Sequence, residues 1–491
     1  MKLLELQVEK YKVINNFSID FKDNLSVIIG KNGAGKTTFY EIITSIFSAL
    51  HRWESDVSVS NFKLKYEIKT PSNTNSKSPF INEEKLEITI TEGQTSNHPF
   101  NISINDTNYS KVEIEENFGD IYFIIPDLMI YYSGFSDRLK QFGDVHEKLY
   151  VNEFKPNTKK RLFFDEMSRI TNRELFYFDV RNHFEILSAA YLSLQYSTQA
   201  DDFLKNSLGL KKSENNFLVL DITRPSFLSK GNVENFWEAP AQMLRFLNLL
   251  RKYGHTLSQE ANEIRLSFNL KSWYALRAEY VEEKVLFYHL DMLQSTKMLT
   301  QILVYITPID STEDIEIGDL SDGQQQLLIT NAFFELFANE DLLVLMDEPD
   351  VYLHPSWQGK FIQQLQVSDS SHYIISTHSP FLLSHYDGEE VHLFKNGRVE
   401  NTARYYGREI NEILIEMGEG NISLRPQEIE EKIDKLFRQI GEAQTEEALT
   451  GANNFYEKLL EEIGEGEDDL LLQQAKSELK YKKFELKNAD K

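Results

Sequence analysis

Along the first thirty residues the apolar positions fall in the two-residue rhythm of strands. Leu3, Leu4, Leu6 and Val8 form one run, and Phe17, Ile19 and Phe21 alternate in a second. Residues 25–29 are then almost unbrokenly apolar until Gly30, the pattern of a strand covered on both faces. Past a glycine-rich stretch, apolar residues from Phe39 to Phe47 recur at helical spacing, so the order is strand, loop, helix. Short strands such as 62–66 and 86–91 are expected up to about residue 126, with 71–80 (PSNTNSKSPF) an exposed loop tip. From 136 to 300 the pattern is mainly helical, with one strand-like interruption at 217–220. Two further strands, 342–346 and 373–376, each end in a polar cluster. Beyond about 402 the chain is Glu/Lys-rich and helical, with Ile429, Ile433, Leu436, Phe437 and Ile440 on one stripe. The pattern predicts an α/β protein with a mixed sheet flanked by helices. It divides into a first lobe (1–135), a mainly helical insertion (136–300), a second lobe (301–400) and a helical C-terminal region (401–491).

Composition narrows the chemistry. With 491 residues the chain exceeds what one core usually holds. It carries no Cys, which excludes disulfides and thiolate metal sites. The net charge of −25 restricts any nucleic-acid contact to a local basic patch. No run of about 18 apolar residues occurs, and the first residues lack the order of a signal peptide. The expectation is a cytoplasmic protein without a membrane partner.

Four motifs carry chemistry. Gly30-Lys31-Asn32-Gly33-Ala34-Gly35-Lys36-Thr37 fills G-x-x-x-x-G-K-[ST] between a buried strand and a helix. Such a loop turns successive N–H groups onto a phosphate at a helix N-terminus. Lys36 then reaches the β- and γ-phosphates of ATP, Thr37 holds Mg²⁺, and Thr38 donates near the α-phosphate. An apolar strand next delivers Asp347 and Glu348 to its C-terminal end. There Asp347 is suited to Mg²⁺ and Glu348 to orienting an attacking water. Finally, Leu320-Ser321-Asp322-Gly323-Gln324-Gln325 stands at a helix start and reads either as a cap or as a second anion cradle. His378, in Ser376-Thr377-His378-Ser379-Pro380, follows another apolar strand.

Phosphate loop, LSDGQ, DEP and THS in this order resemble the ABC-type ATPases. The resemblance implies that LSDGQ is the signature motif, Glu348 the catalytic base and His378 the switch histidine. It also implies an ATP-sandwich homodimer in which Ser321, Gly323 and Gln324 of one copy close on the nucleotide held by Lys36 of the other, with room for a higher oligomer. The run 347–358 (DEPDVYLHPSWQ) is similar to OLD-like and RecF/SMC-like ATPases, and His354 stands where ABC transporters usually place Asp. The tail opening at Arg404-Tyr405-Tyr406-Gly407-Arg408 resembles that of bacterial AAA_21-type ATPases found near restriction and defence genes, as in Septu- or PARIS-like systems. The resemblance implies an ATP-hydrolysing sensor or scaffold of antiphage defence. Its alternative is a DNA repair or maintenance ATPase of the RecF/SMC kind.

No nuclease motif follows His378, so an effector nuclease or toxin is expected to be a separate protein. Gln141 is a candidate for the glutamine that commonly follows the first lobe. Lys155, Lys159, Lys160 and Arg161, with the smaller pair Lys211 and Lys212, read either as solvated faces or as a track for DNA.

Overall fold

The computed structural model describes the chain except residues 96–97, 135–136, 156–169, 171–172, 196–197, 229–230, 338–340, 366–369, 402–403, 418–425, 464–468 and 490–491. The chain opens with β1 (Lys2–Tyr11), β2 (Ile14–Asp20) and β3 (Leu25–Gly30), followed by a helix at Lys36–Arg52. Next come β4 (Ser60–Lys69), β5 (Lys85–Thr95), β6 (His98–Ile104), β7 (Thr107–Tyr109) and β8 (Asp127–Tyr132). After the helix Lys140–Phe154 come β9 (Leu175–Phe178) and the helix Val180–Leu192, then β10 (Leu210–Lys212) and β11 (Leu218–Thr223). The helix Ala241–Tyr253 precedes β12 (His255–Gln259) and β13 (Glu263–Phe268). Helices Leu270–Arg277 and Glu283–Ser295 lead to β14 (Leu299–Pro308) and β15 (Ile315–Glu316). The helix Asp322–Phe337 leads into β16 (Leu342–Asp347), and the helix Pro355–Leu365 into β17 (His372–Ser376). β18 (Val391–Lys395) and β19 (Arg398–Asn401) close the series.

The strands form three sheets. The central one has the order β19-β18-β3-β17-β16-β8-β9 and is parallel except for β19. β3, β16 and β17 are buried along their whole length, which matches their uninterrupted apolar sequences. An antiparallel sheet, β2-β1-β4-β5-β6-β7, alternates buried and exposed positions, as at Phe62, Leu64, Tyr66 and Ile68 on β4. The helix Lys36–Arg52 packs into a core shared by these two sheets. Phe39, Ile42, Ile43, Ile46 and Phe47 on it are wholly buried, each worth about 1.5–3 kcal/mol of apolar transfer. Tyr40 fixes its height. Its hydroxyl donates to the Met346 carbonyl at 3.0 Å and the Ile374 carbonyl at 3.1 Å, tying the helix to β16 and β17.

The α/β expectation holds, and segment 136–300 is mainly helical. The strand expected at 217–220 is β11, and the segment carries further strands that local pattern does not announce. β9 leaves it to extend the central sheet beside β8, and β10, β11, β12 and β13 join β14 in a third, antiparallel sheet. The stretch 71–80 is not purely an exposed tip: Phe80 is buried and stacks on Phe118 with ring centroids 5.4 Å apart.

Residues 414–491 form a separate compact unit. Its helices Gln427–Glu442, Glu446–Ile463 and Leu470–Ala489 bury Ile433, Leu436, Ile440, Leu449, Tyr456, Leu459, Leu472 and Leu479 against one another. The helical stripe of the tail is thus packing within the unit. Among the described residues no helix is long and apolar enough to cross a membrane.

Candidate functional site

Strand order places the chemistry. β17 lies between β3 and β16, so the residues just beyond these three parallel strands meet at one edge. That edge is where the carboxyl ends of open α/β sheets receive ligands. Gly30 ends β3 at φ +148°, and a Cβ there would stand 2.5 Å from the Phe394 carbonyl oxygen. Gly35, at φ +112°, turns the chain into the helix, and Phe39 N–H returns to its carbonyl at 2.8 Å. Lys31, Asn32 and Gly33 are exposed at the loop crest, while Ala34, Lys36 and Thr38 are buried.

Lys36 Nζ donates to the Gly30 carbonyl at 2.9 Å, folding back over its own loop, and lies 2.5 Å from His378 Nε2. The same His378 Nε2 is 3.1 Å from Glu348 Oε1. A single ring nitrogen accepts from Lys36 when bare or donates to Glu348 when protonated, so the two contacts compete. The imidazole beside Glu348 holds its carboxyl below the usual carboxylate range, against the opposing effect of burial. Glu348 has φ +52°, and its N–H donates to the Ser376 carbonyl at 3.1 Å.

Thr37 Oγ1 donates to Asp347 Oδ2 at 2.9 Å, and the Ser376 hydroxyl donates to Asp347 Oδ1. Burial pushes the Asp347 carboxyl up, and the two hydroxyls oppose that. One carboxylate with adjacent hydroxyls is an all-oxygen donor set that suits Mg²⁺ shared with phosphate and water. Thr37 and Asp347 would hold it, and it would neutralise phosphate charge.

Ser321, Gly323 and Gln324 are not brought to this edge: among the described residues no hydrogen bond or ion pair joins them to the phosphate loop. The Gln324 side chain accepts from the Ser321 N–H and hydroxyl, each at 3.1 Å, as a cap of the helix Asp322–Phe337. Ser321 remains exposed. Gln326, two residues past Gln324, is buried. It accepts from the Tyr131 hydroxyl at 2.7 Å and donates to the Pro349 carbonyl at 2.8 Å, joining this helix to β8 and to the loop after Glu348. A cavity of about 330 Å³ opens here, lined by Tyr132, Ser133, Lys140, Asp322 and Tyr352 but by no phosphate-loop residue.

Sequence reading missed several participants. Gln141 is exposed and donates to the Arg138 carbonyl at 2.8 Å. Arg138 itself is the group beside the loop helix. Its Nε donates to Glu41 Oε1 at 2.6 Å and its Nη2 to Glu41 Oε2 at 3.0 Å, while Lys12 Nζ adds 2.7 Å to the same carboxylate. Glu41 is fully buried one turn past Thr37, and a buried carboxylate requires such partners. That Glu within an apolar helix was the available signal. Ser133 Oγ donates to the Asp347 and Glu348 carbonyls at 3.0 and 2.9 Å. Asp350 is buried with its Oδ2 accepting from Thr377 at 2.8 Å, and burial pushes its carboxyl up to about 6. Of the basic patch, Lys159, Lys160 and Arg161 lie outside the described residues, and Lys155 donates to Asn152 Oδ1 at 3.1 Å. Lys212 is partly buried and paired with Asp201 at 2.9 Å.

A family described as AAA ATPase domain matches residues 1–383. The chain is 34% identical over 104 residues to a retron Vc95 probable ATPase of Vibrio cholerae serotype O1 biovar El Tor. It is 40% identical over 57 residues to a retron Ec83 probable ATPase of Escherichia coli. The matches cover 21% and 11% of this chain and span only 20% and 10% of those relatives. Among solved structures, an SMC head bound to the C-winged helix domain of ScpA aligns over 82% of this chain and 98% of its own, at 13% identity and a TM-score of 0.39. A structure of the recombination mediator RecF aligns over 82% and 98%, at 15% identity and a TM-score of 0.35.

Proposed function

The chain belongs to the AAA ATPase domain family, and on that premise we propose that it binds ATP with Mg²⁺ and hydrolyses it in pockets completed by a second copy. Gly30, Lys31, Asn32, Gly33, Ala34, Gly35, Lys36, Thr37 and Thr38 cradle the phosphates. Asp347 and Thr37 hold the ion, Glu348 orients and deprotonates water, and His378 steadies Glu348. The observation that supports this reading most is the convergence of Lys36, Thr37, Asp347, Glu348 and His378 at one sheet edge, bonded to one another. Lys36 and His378 contact each other here. An arriving phosphate draws Lys36 away and leaves the imidazole to Glu348 and the γ-phosphate.

The composite pocket rests on the separation of the signature residues. Ser321 is exposed at a helix N-terminus that does not serve the loop of its own copy, so Ser321, Gly323 and Gln324 serve the partner's nucleotide. The test is a pair of substitutions. Lys36→Ala abolishes ATP binding. Glu348→Gln retains binding and lowers turnover by about 10²–10⁴-fold, the usual value of a positioned base. Wild-type turnover by Glu348→Gln overturns the assignment.

At the level of the cell, we propose an ATP-gated regulator of a bacterial antiphage system whose nuclease or toxin is a separate chain. The resemblance of the segment opening at Arg404 and two relatives named as retron ATPases support it. Co-purification of the native operon with mass measurement tests it: a stoichiometric effector supports the reading, and its absence directs attention to DNA maintenance instead.

A further inference from the structure

Glu348 has an unusual backbone for a residue with a long side chain. Its φ of +52° lies in the left-handed region, which a residue with a Cβ keeps only when its surroundings hold it there. Glu348 follows β16, whose last registered pair with β8 is Asp347 with Tyr132. In a regular strand the N–H and C=O of one residue point to the same side, but those of Glu348 point to opposite ones. Its N–H meets the Ser376 carbonyl at 3.1 Å and the Ser376 hydroxyl at 3.2 Å, on the β17 side. Its carbonyl turns instead toward Ser133, one residue past Tyr132. The Ser133 hydroxyl is shared between the Asp347 carbonyl at 3.0 Å and the Glu348 carbonyl at 2.9 Å.

The two peptide groups that flank the Glu348 Cα are therefore tied to different neighbours. Together they set the direction of its side chain, which ends 3.1 Å from His378 Nε2. Ser376 also donates to the Asp347 carboxylate, so its effect on Glu348 cannot be separated from the ion site. Ser133 can be separated. Among the described residues its hydroxyl bonds only to the two carbonyls, and β8 lies on the far side of β16 from β17 and β3. Its hold on the site thus runs through the Glu348 backbone. We propose that Ser133 is a positioning residue: its hydroxyl keeps Glu348 in the left-handed turn that aims the carboxylate at the attacking water. The proposal rests on the reading of Glu348 as the group that orients that water.

The test uses the full chain, with ATP turnover for rate and calorimetric titration of ATP for binding. Ser133→Ala is expected to lower kcat by about 10–100-fold, the scale of misplacing a reacting group. KM and ATP affinity should stay within about twofold of wild type, because the loss falls on the transition state alone. Ser133→Thr keeps the hydroxyl and should hold kcat within about threefold of wild type. The decisive arm is the double variant. Residues that act as a unit are not additive, so adding Ser133→Ala to Glu348→Gln should change single-turnover hydrolysis by less than about twofold. A further loss as large as that of Ser133→Ala alone overturns the proposal, since Ser133 would then act independently of Glu348. So does a Ser133→Thr variant as slow as Ser133→Ala, or an equal loss of ATP affinity and kcat. Unchanged kcat in Ser133→Ala, with Glu348→Gln inactive, overturns this proposal alone. Wild-type turnover by Glu348→Gln overturns the assignment of the base and this proposal with it.

Discussion

The Thr37 hydroxyl donates to Asp347 Oδ2 over 2.9 Å, closing a contact between residues 310 positions apart. One side comes from the first turn of the helix after β3 and the other from the end of β16, with the Ser376 hydroxyl of β17 on the second carboxylate oxygen. If this pair holds the ion that accompanies ATP, its effect must vanish when the ion is removed. Calorimetric titration of ATP in Mg²⁺ should show Thr37→Ala weaker by about 10–100-fold, the scale of losing one metal-orienting group. In EDTA, wild type and variant should bind alike. An equal loss in both buffers assigns Thr37 to phosphate alone.

His378 bears on the charge of Glu348. Its contact is the main reason the Glu348 carboxyl sits below the usual range. A depressed carboxyl stays ionised to lower pH, so the wild-type rate should fall only at quite acidic pH. Replacing His378 by Ala removes that support, the Glu348 carboxyl titrates higher, and the acidic limb of the pH–rate profile should move to higher pH. A lower maximum with an unmoved limb would show that His378 acts on substrate instead.

Asp350 gives an opposite sign. Burial raises its carboxyl to about 6 from an ordinary 3.8, and its Oδ1 has no hydrogen-bond partner among the described residues. Because the folded value is the higher one, protonation favours the fold. That contribution is complete below about pH 4 and is lost as pH rises through about 6. Asp350→Asn stays neutral throughout. Its stability relative to wild type should therefore rise between pH 5 and pH 7.5, by about 1.4 kcal/mol, read as a relative gain in melting temperature. A constant offset across that range would mean the carboxyl is ionised at both values.

What was legible in the sequence is what local pattern can hold. β3, its loop and its helix are contiguous, and β16 and β17 announce themselves as apolar runs ending in Asp347 and Ser376. The site residues on those segments consequently fell together as expected. What was not legible depends on pairing across distance. β9 joins the central sheet from within the insertion through its register with β8, and Arg138 reaches Glu41 across 97 positions. Neither contact leaves a periodic trace. Phe80 sits in a largely polar stretch, and its ring contacts with Phe118 and Tyr109 show it as an anchor. The C-terminal stripe was readable as amphipathic, but its packing partners became evident only from the three-helix core.

The claim on which the functional reading stands is that each pocket is built from two copies. Lys36→Ala and Ser321→Arg should each be inactive alone. After subunit exchange in an equimolar mixture, half the dimers are mixed, and each mixed dimer keeps one intact pocket. Steady-state ATP turnover should recover to about a quarter of the wild-type rate under statistical mixing. A mixture that remains inactive, while wild type turns over at dilutions where it sediments as a single copy, contradicts the composite pocket.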